Sequence, residues 1–187
     1  MLPMETFVSM MNDREIYVWD IITRVFHWLL VLAYCTAQLT AEEWDSAHEY
    51  TGYIILGLIA FRIIRGFVGP RNAQFSDFVK SPRMIKAHLV DVLTGRHCPE
   101  AGHNPAGGAM VLFLLAWLAL TGITGWLSTT LSGSVAEFLE KSHEFLGEYS
   151  LLLIAIHVAG VIAMSLLERQ NLANSMINGK KHLKSDS

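Results

Sequence analysis

The chain has 187 residues, of which 52% are hydrophobic and 17% are charged, and its mean hydropathy is +0.36. This balance indicates that lipid rather than water is its main solvent, and no nucleic-acid partner is expected. The formal net charge of -3 by itself indicates little about the protein, because in a membrane protein the distribution of charge matters more than its sum. Cys35 and Cys98 lie far apart and outside any CxxC or CxxCH pattern. Their spacing argues against a covalent c-type haem and against a cysteine zinc site.

Four segments are apolar over about 20 residues, the length that a membrane-spanning helix requires. In chain order they are Thr23 to Ala41, Tyr50 to Val68, Ala106 to Leu131 and Phe145 to Leu167. Arg62 and Arg65 interrupt the second segment near its end, where long basic side chains can reach the membrane surface. Asn104-Pro105 marks the start of the third, as a cap followed by a first-turn proline. The sequence therefore predicts one all-α domain over residues 1–187, an integral membrane four-helix bundle.

Two short helices are predicted outside these spans. Between the second and third spans, Ser81-Pro82 begins and Gly95 ends a segment whose apolar residues recur at helical spacing, namely Ile85, Leu89, Val92 and Leu93. This pattern is typical of an amphipathic helix on the membrane surface. Ser134 and Glu137 have the spacing of a capping box and predict another short helix that leads into the fourth span.

The basic residues predict the orientation in the membrane. If both termini and the long segment between spans two and three lie in the cytoplasm, every lysine and arginine except Lys141 lies on the cytoplasmic side. The outer loops then carry an acidic surface of eight carboxylates: Glu42, Glu43, Asp45, Glu49, Glu137, Glu140, Glu144 and Glu148. A surface of this charge favours basic partners, although it can also serve only to keep the loops solvated.

Four of the eight histidines fall in or at the ends of the spans. His143 and His157 are 14 residues apart, which at about 100° per residue places them on one helix face with roughly 21 Å between them. In the predicted topology His27 of span one is level with His157, and His48 of span two is level with His143. The sequence therefore predicts two histidine pairs, an inner and an outer one.

Paired imidazoles on facing helices at equal depth are what a haem iron with two axial histidines requires. Gly52 and Gly147 follow the outer histidines by one turn and would let a flat macrocycle approach the backbone. Spans two and four also resemble each other in sequence, and that similarity aligns Arg62 with His157. Arg62 is therefore expected to point into the bundle and to pair with a haem propionate.

Other interpretations of the histidines stay open at this point. A single histidine within a membrane is often a hydrogen-bonding residue at a helix contact, and stacked histidines also suit a pathway for protons or divalent metal ions. His88, His97 and His103 are expected to be solvated loop residues, although His103 beside Asn104 also suits a quinone or partner site.

Several short motifs, in this order, resemble the bacterial cytochrome b561 family and its relatives, the cytochrome b subunits of membrane-bound nickel-iron hydrogenases. The matching pieces are Val18-Trp19-Asp20 through Arg24-Val25-Phe26-His27-Trp28, His48-Glu49-Tyr50-Thr51-Gly52-Tyr53 running to Arg62, Gly102-His103-Asn104-Pro105-Ala106-Gly107-Gly108, and His143 with His157. The resemblance covers about residues 15–170. It implies a four-helix membrane bundle with two haems b, bound by His27 and His157 on the inner side and by His48 and His143 on the outer side.

The resulting hypothesis is electron transfer through the bacterial inner membrane, with both termini in the cytoplasm. The electrons would pass between a periplasmic redox protein, such as a basic cytochrome c, and the quinone pool. Three alternatives stay open: a superoxide:quinone oxidoreductase, the haem-bearing anchor of a larger oxidoreductase such as a hydrogenase, and a haem-free proton or metal transporter. The carboxylates of the outer loops would repel superoxide. Whether the chain is itself an enzyme, and whether it forms a homo-oligomer or a larger complex, is left open.

Overall fold

The computed structural model describes residues 13–42, 45–70, 73–96 and 104–184. Its elements are β1 (Asp13–Tyr17), α1 (Ile21–Thr40), α2 (Asp45–Val68), α3 (Phe75–Phe78), α4 (Pro82–Leu93), α5 (Pro105–Thr130), α6 (Ser134–Leu167), α7 (Leu172–Asn178) and β2 (Lys180–Lys184). The predicted roles of Glu43, His97 and His103 concern residues outside the described ranges.

Four helices, α1, α2, α5 and α6, are long and apolar enough to cross a membrane, which confirms the predicted all-α membrane bundle. α1 begins after Asp20, whose carboxylate accepts hydrogen bonds from the backbone N–H groups of Ile22 and Thr23. α5 begins after Asn104, whose side-chain oxygen accepts a 2.7 Å hydrogen bond from the N–H of Gly107. Both caps satisfy donors that a helix start leaves without a partner.

The amphipathic helix predicted between spans two and three is present as α4. Ser81 caps it by accepting a hydrogen bond from the N–H of Met84, and Gly95 follows its end with a φ of 70°. A left-handed residue at this place is the usual way for a helix to end, and glycine adopts that conformation without a steric cost.

The separate short helix predicted before span four is wrong. α6 is a single helix of 34 residues that begins at Ser134 and continues through the whole span. Gly133, with a φ of 73°, is the N-cap, so Ser134 and Glu137 lie inside the helix and form no capping box. No proline interrupts the chain between these residues and the span, and the helix therefore runs on. As a result His143 and His157 lie on one continuous helix.

The membrane helices pack in a defined order: α1 against α2, α2 against α5, and α5 against α6, while α4 packs against α5. The core shared by α1, α2 and α5 consists of Phe26, Ala33, Tyr34, Ala37, Ile55, Ile59, Leu115 and Leu118. α5 and α2 approach closely at Gly122, where an added Cβ would lie 2.7 Å from Cδ2 of Leu56. A 2.7 Å hydrogen bond between Tyr34 and Ser150 joins α1 to α6.

A two-stranded antiparallel sheet, absent from the sequence-based prediction, joins the two ends of the described chain. Asp13 of β1 lies opposite Lys184 of β2, and Tyr17 lies opposite Lys180. The carbonyl of Gly179 accepts hydrogen bonds from the N–H groups that follow β1. We call the end of the bundle that carries this sheet with α3, α4 and α7 the strand end. The opposite end, with the α1–α2 and α5–α6 connections, is the loop end.

An ion pair at the strand end connects β2 to the end of α6. The Lys181 ammonium lies 3.5 Å from a Glu168 carboxylate oxygen, and the two side chains are only 6% and 1% exposed. Lys181→Ala is expected to lower the free energy of unfolding by about 3 kcal/mol, because it leaves a buried carboxylate without this cation. Thermal unfolding in detergent, followed by circular dichroism, measures the loss. Lys141→Ala, at an exposed position of α6, is the control, and equal stability of the two variants would contradict the prediction.

Candidate functional site

The structure brings His48 and His143 together near the loop end. His48 lies in the first turn of α2, and His143 lies nine residues into α6. Their Nε2 atoms are 3.5 Å apart, and their ring centroids are 5.8 Å apart. We call these two residues the loop-end pair.

Backbone carbonyls orient both rings of the loop-end pair. Nδ1 of His48 lies 2.9 Å from the carbonyl oxygen of Ala37, and Nδ1 of His143 lies 2.8 Å from that of Thr121. A carbonyl only accepts, so each Nδ1 carries the proton and donates it. In the neutral tautomer fixed in this way, the two Nε2 lone pairs point toward each other. Imidazole ligands of metal sites are commonly oriented by such a bond from the second ring nitrogen.

The loop-end pair fits a metal held between two axial imidazoles. Metal–imidazole bonds of about 2 Å would separate the two Nε2 atoms by about 4 Å, close to the 3.5 Å observed. Within the part of the chain that the structure describes, no three histidine, cysteine or carboxylate side chains converge on one metal position. Two protein ligands suit a haem iron, whose other ligands come from the porphyrin.

Glycines surround the loop-end pair in two different ways. A Cβ at Gly125 of α5 would lie 2.8 Å from Cε1 and Nδ1 of His143, so this glycine makes room for the imidazole ring itself. A Cβ at Gly52 or Gly147 would meet nothing within 4 Å. Open space therefore adjoins the two glycines for which the sequence predicted close approach of a macrocycle.

His27 lies on α1 and His157 on α6, and we call these two residues the strand-end pair. Nδ1 of His27 is buried and has no hydrogen-bond partner among the described residues. The His27 ring packs edge-on against Trp28, with 5.2 Å between centroids, and the Trp28 indole donates to the carbonyl of Met176 in α7. A buried ring nitrogen without a partner is costly in an isolated protein and is consistent with a ligand at this position.

Arg62 is buried, with 4% of its surface exposed, but its described partners lie in and next to α3. Its Nη1 donates to the carbonyl of Ala73 over 3.1 Å, and its guanidinium lies 4.9 Å from the ring centroid of Phe75 and 5.8 Å from that of Phe78. These contacts fasten α3 to α2. The pairing of Arg62 with a propionate stays a prediction.

Two other arginines at the strand end, to which the sequence analysis assigned no binding role, also have unmet donors. The Nε atoms of Arg24 and Arg65 are buried without a hydrogen-bond partner among the described residues. Arg24 donates from Nη1 to the carbonyl of Ile177, and Arg65 pairs with Asp20 at 2.5 Å. One feature of the sequence could have identified Arg24 as a neighbour of the histidine: it lies three residues before His27, about one helix turn away.

The charge of Arg65 is matched by an ionised Asp20. Burial raises the pKa of Asp20, but the hydrogen bonds from the hydroxyl and N–H of Thr23, the positive charge of Arg65 and the N–H of Ile22 together hold that pKa below its usual value. The donors that remain on Arg24 and Arg65 are suited to an anionic group, such as the carboxylate of a ligand.

The prediction that His88 is a solvated loop residue is wrong. His88 lies on α4 and is 9% exposed. It shares a helix face with Ile85 and Val92, three residues before it and four after it, and α4 packs against α5. The wider apolar stripe of this helix therefore includes the histidine, whereas Leu93 is 86% exposed.

Four apolar helices and one facing pair of imidazoles, His48 and His143, are the features of a helical membrane cytochrome. The sequence profile of the prokaryotic cytochrome b561 family matches residues 18–179. The chain belongs to this family. It is a multi-pass bacterial membrane protein with a role in electron transfer on haem b.

A probable Ni/Fe-hydrogenase B-type cytochrome subunit of Rhodobacter capsulatus is similar to this chain. The two are 25% identical over an alignment 228 positions long, which covers 97% of this chain and 87% of that protein. No solved structure matches the chain significantly.

Proposed function

We propose that the protein carries electrons across the membrane on two haems b, each held by two histidines. His27 and His157 hold the strand-end haem, and His48 and His143 hold the loop-end haem. The observation that carries the proposal is the 3.5 Å approach of the Nε2 atoms of His48 and His143, whose Nδ1 protons are engaged by backbone carbonyls. The 14-residue spacing on α6 separates the two levels by about 21 Å.

When bound, haem supplies an iron that takes up and releases one electron at a time. The protein contributes the axial imidazoles, fixes the ring orientation of the loop-end pair, and excludes water with four apolar helices. At the strand end the guanidinium groups of Arg24, Arg62 and Arg65 supply donors for haem carboxylates. Gly52 and Gly147, each one turn after a histidine of the loop-end pair, have no protein atom within 4 Å of an added Cβ.

The charge distribution supports an orientation with the strand end and both termini in the cytoplasm of a bacterial cell, and the loop end in the periplasm. At the loop end the acidic residues within the described ranges are all exposed: Glu42, Asp45, Glu49, Glu137, Glu140, Glu144 and Glu148. This acidic surface suits a basic periplasmic redox protein such as a cytochrome c, and the membrane quinone pool is the second proposed partner.

The rate of electron exchange with a basic soluble cytochrome c is expected to fall at least tenfold as ionic strength rises from about 10 mM to about 150 mM. Screening over this range shortens the reach of the acidic surface from about 30 Å to about 8 Å. Stopped-flow absorbance with the protein in uncharged detergent measures the rate. The neutral partner ubiquinol serves as the control, since its reaction should change little. A rate indifferent to salt would remove the argument for a basic partner.

A second candidate function is the haem-bearing membrane anchor of a larger oxidoreductase. The similarity to a probable hydrogenase cytochrome subunit favours it. In that case the physiological redox partner is a tightly bound subunit rather than a diffusing cytochrome. Mild-detergent purification from the native membrane distinguishes the two, because an anchor co-purifies with a stoichiometric redox subunit, whereas a free carrier is recovered alone or as a homo-oligomer.

The experiment that tests the proposed function is a reduced-minus-oxidised absorption spectrum of the purified protein, combined with haem quantification. The proposal requires b-type bands and two haems per chain. One haem per chain would contradict the second site. A protein without b-type bands would favour the haem-free proton or metal transporter, since the stacked imidazoles would then serve another ion.

A further inference from the structure

The helices that carry the strand-end pair are joined through one serine. α1 packs against α2 and α6 packs against α5. Among the described residues, the side-chain hydrogen bonds between α1 and α6 all end on Ser150: the Tyr34 hydroxyl lies 2.7 Å from its Oγ, and the Gln38 amide nitrogen lies 3.4 Å from it. Ser150 is 1% exposed, which makes it one of the most deeply buried side chains described.

The hydroxyl of Ser150 is fully used in this arrangement. Its proton is donated to the carbonyl of Gly147, with 2.5 Å between the oxygens. The lone pairs of Oγ are therefore left to accept from the hydroxyl of Tyr34 and from the amide of Gln38. The buried Tyr34 hydroxyl gains a partner in an apolar interior, where an unpaired polar group is costly. The hydrogen-bonding requirements of Ser150 on α6 and of Tyr34 on α1 therefore both favour one register of α1 against α6.

This contact lies between the two histidine levels. Ser150 follows His143 and precedes His157 by seven residues, about 10.5 Å of helix in each direction, and Tyr34 follows His27 by seven residues. A register that aligns Tyr34 with Ser150 therefore also aligns His27 with His157. The two histidines lie the same distance along their helices from the hydrogen bond.

The two histidine pairs differ in the hydrogen bonds that orient their imidazole rings. Backbone carbonyls orient both rings of the loop-end pair, whereas Nδ1 of His27 has no partner among the described residues. We infer that the Tyr34–Ser150 hydrogen bond is a positioning contact that aligns His27 with His157 for the strand-end haem. The inference rests on the proposed function, because it presupposes that this pair binds haem.

Tyr34→Phe tests the inference, because it removes the hydroxyl and keeps the ring. The strand-end haem is expected to bind about threefold to tenfold more weakly, as loss of one buried hydrogen bond allows, and the loop-end haem is expected to bind as before. Transfer of haem to apomyoglobin measures both affinities. The low-spin electron paramagnetic resonance signals report the geometry of each imidazole pair.

Ser150→Ala should reproduce this result, and the double variant should be no weaker than either single one, since both changes remove the same contact. Thr36→Val is the matched control on α1, because the Thr36 hydroxyl bonds to the carbonyl of Leu32 in its own helix. Retention of the loop-end haem shows that a variant is folded.

Two results would overturn the inference: a strand-end haem unchanged in both single variants, or equal weakening of both haems, which would mean a general loosening of the bundle. Wild-type protein without two haems would instead refute the proposed function. The two failures are therefore distinguishable before any variant is examined.

Discussion

His157→Ala is expected to remove the strand-end haem and to leave the loop-end haem in place. His157 and His48 belong to different pairs, and on α6 His157 lies about 21 Å from His143. Mutation of a residue that only orients a metal ligand typically lowers metal affinity by about 10- to 100-fold. Loss of an axial ligand itself should lower haem affinity by more than that. The haem content is therefore expected to fall from two per chain to one, measured as pyridine haemochrome against protein concentration.

The reciprocal variant, His143→Ala, should retain the strand-end haem, so the two variants should lose different low-spin signals. His88→Ala is the matched control, because His88 is a buried histidine on α4 that lies outside both pairs. It is expected to keep two haems. Two haems retained in both His157→Ala and His143→Ala would refute the assigned ligands. Loss of the same haem in both variants would refute the division into two levels.

The membrane helices were predictable from the sequence because each depends on a local property. A run of about 20 apolar residues is required for crossing lipid, whatever the helix packs against. The cap at Asn104 was equally local, since its side-chain oxygen reaches an N–H three residues later. The 14-residue spacing on α6 was enough to place His143 and His157 on one helix face.

Features that depend on distant parts of the chain were missed. The antiparallel pairing of β1 with β2 joins residues about 170 positions apart, and neither short strand has a pattern that identifies the other. The Arg62 prediction had a related weakness. An internal sequence similarity aligned Arg62 with His157, but it contained no information on Phe75 and Phe78, over whose rings the guanidinium lies.

Two predictions were wrong because a local signal was given too much weight. Ser134 and Glu137 have the spacing of a capping box, but Gly133 takes the cap position and the helix simply continues. His88 was predicted to be a solvated loop residue, whereas its position on the packed face of α4 decides its burial. In both cases the position of the residue in its helix, rather than the residue type, determined its structural role.

Gly125→Ala is expected to weaken the loop-end haem by about fivefold to 100-fold and to spare the strand-end haem. The added methyl group would lie 2.8 Å from Cε1 and Nδ1 of His143, closer than a Cβ can approach. The ring cannot simply rotate away, because the Thr121 carbonyl holds its Nδ1 at 2.8 Å. Overpacking of this kind costs about 1–3 kcal/mol, which sets the size of the expected effect. Haem transfer to apomyoglobin gives the affinity.

Gly57→Ala is the control for Gly125→Ala, since this exposed position of α2 has no atom within 4 Å of an added Cβ and both haems should stay bound. Gly52→Ala and Gly147→Ala add a separate comparison, because their methyl groups also meet no protein atom. They should leave the haem-free protein as stable as the wild type and weaken only the loop-end haem, since the space they enter is the one proposed for the macrocycle. A loop-end haem bound as tightly in Gly125→Ala as in Gly57→Ala would mean that His143 does not pack against α5 at this glycine when haem is bound.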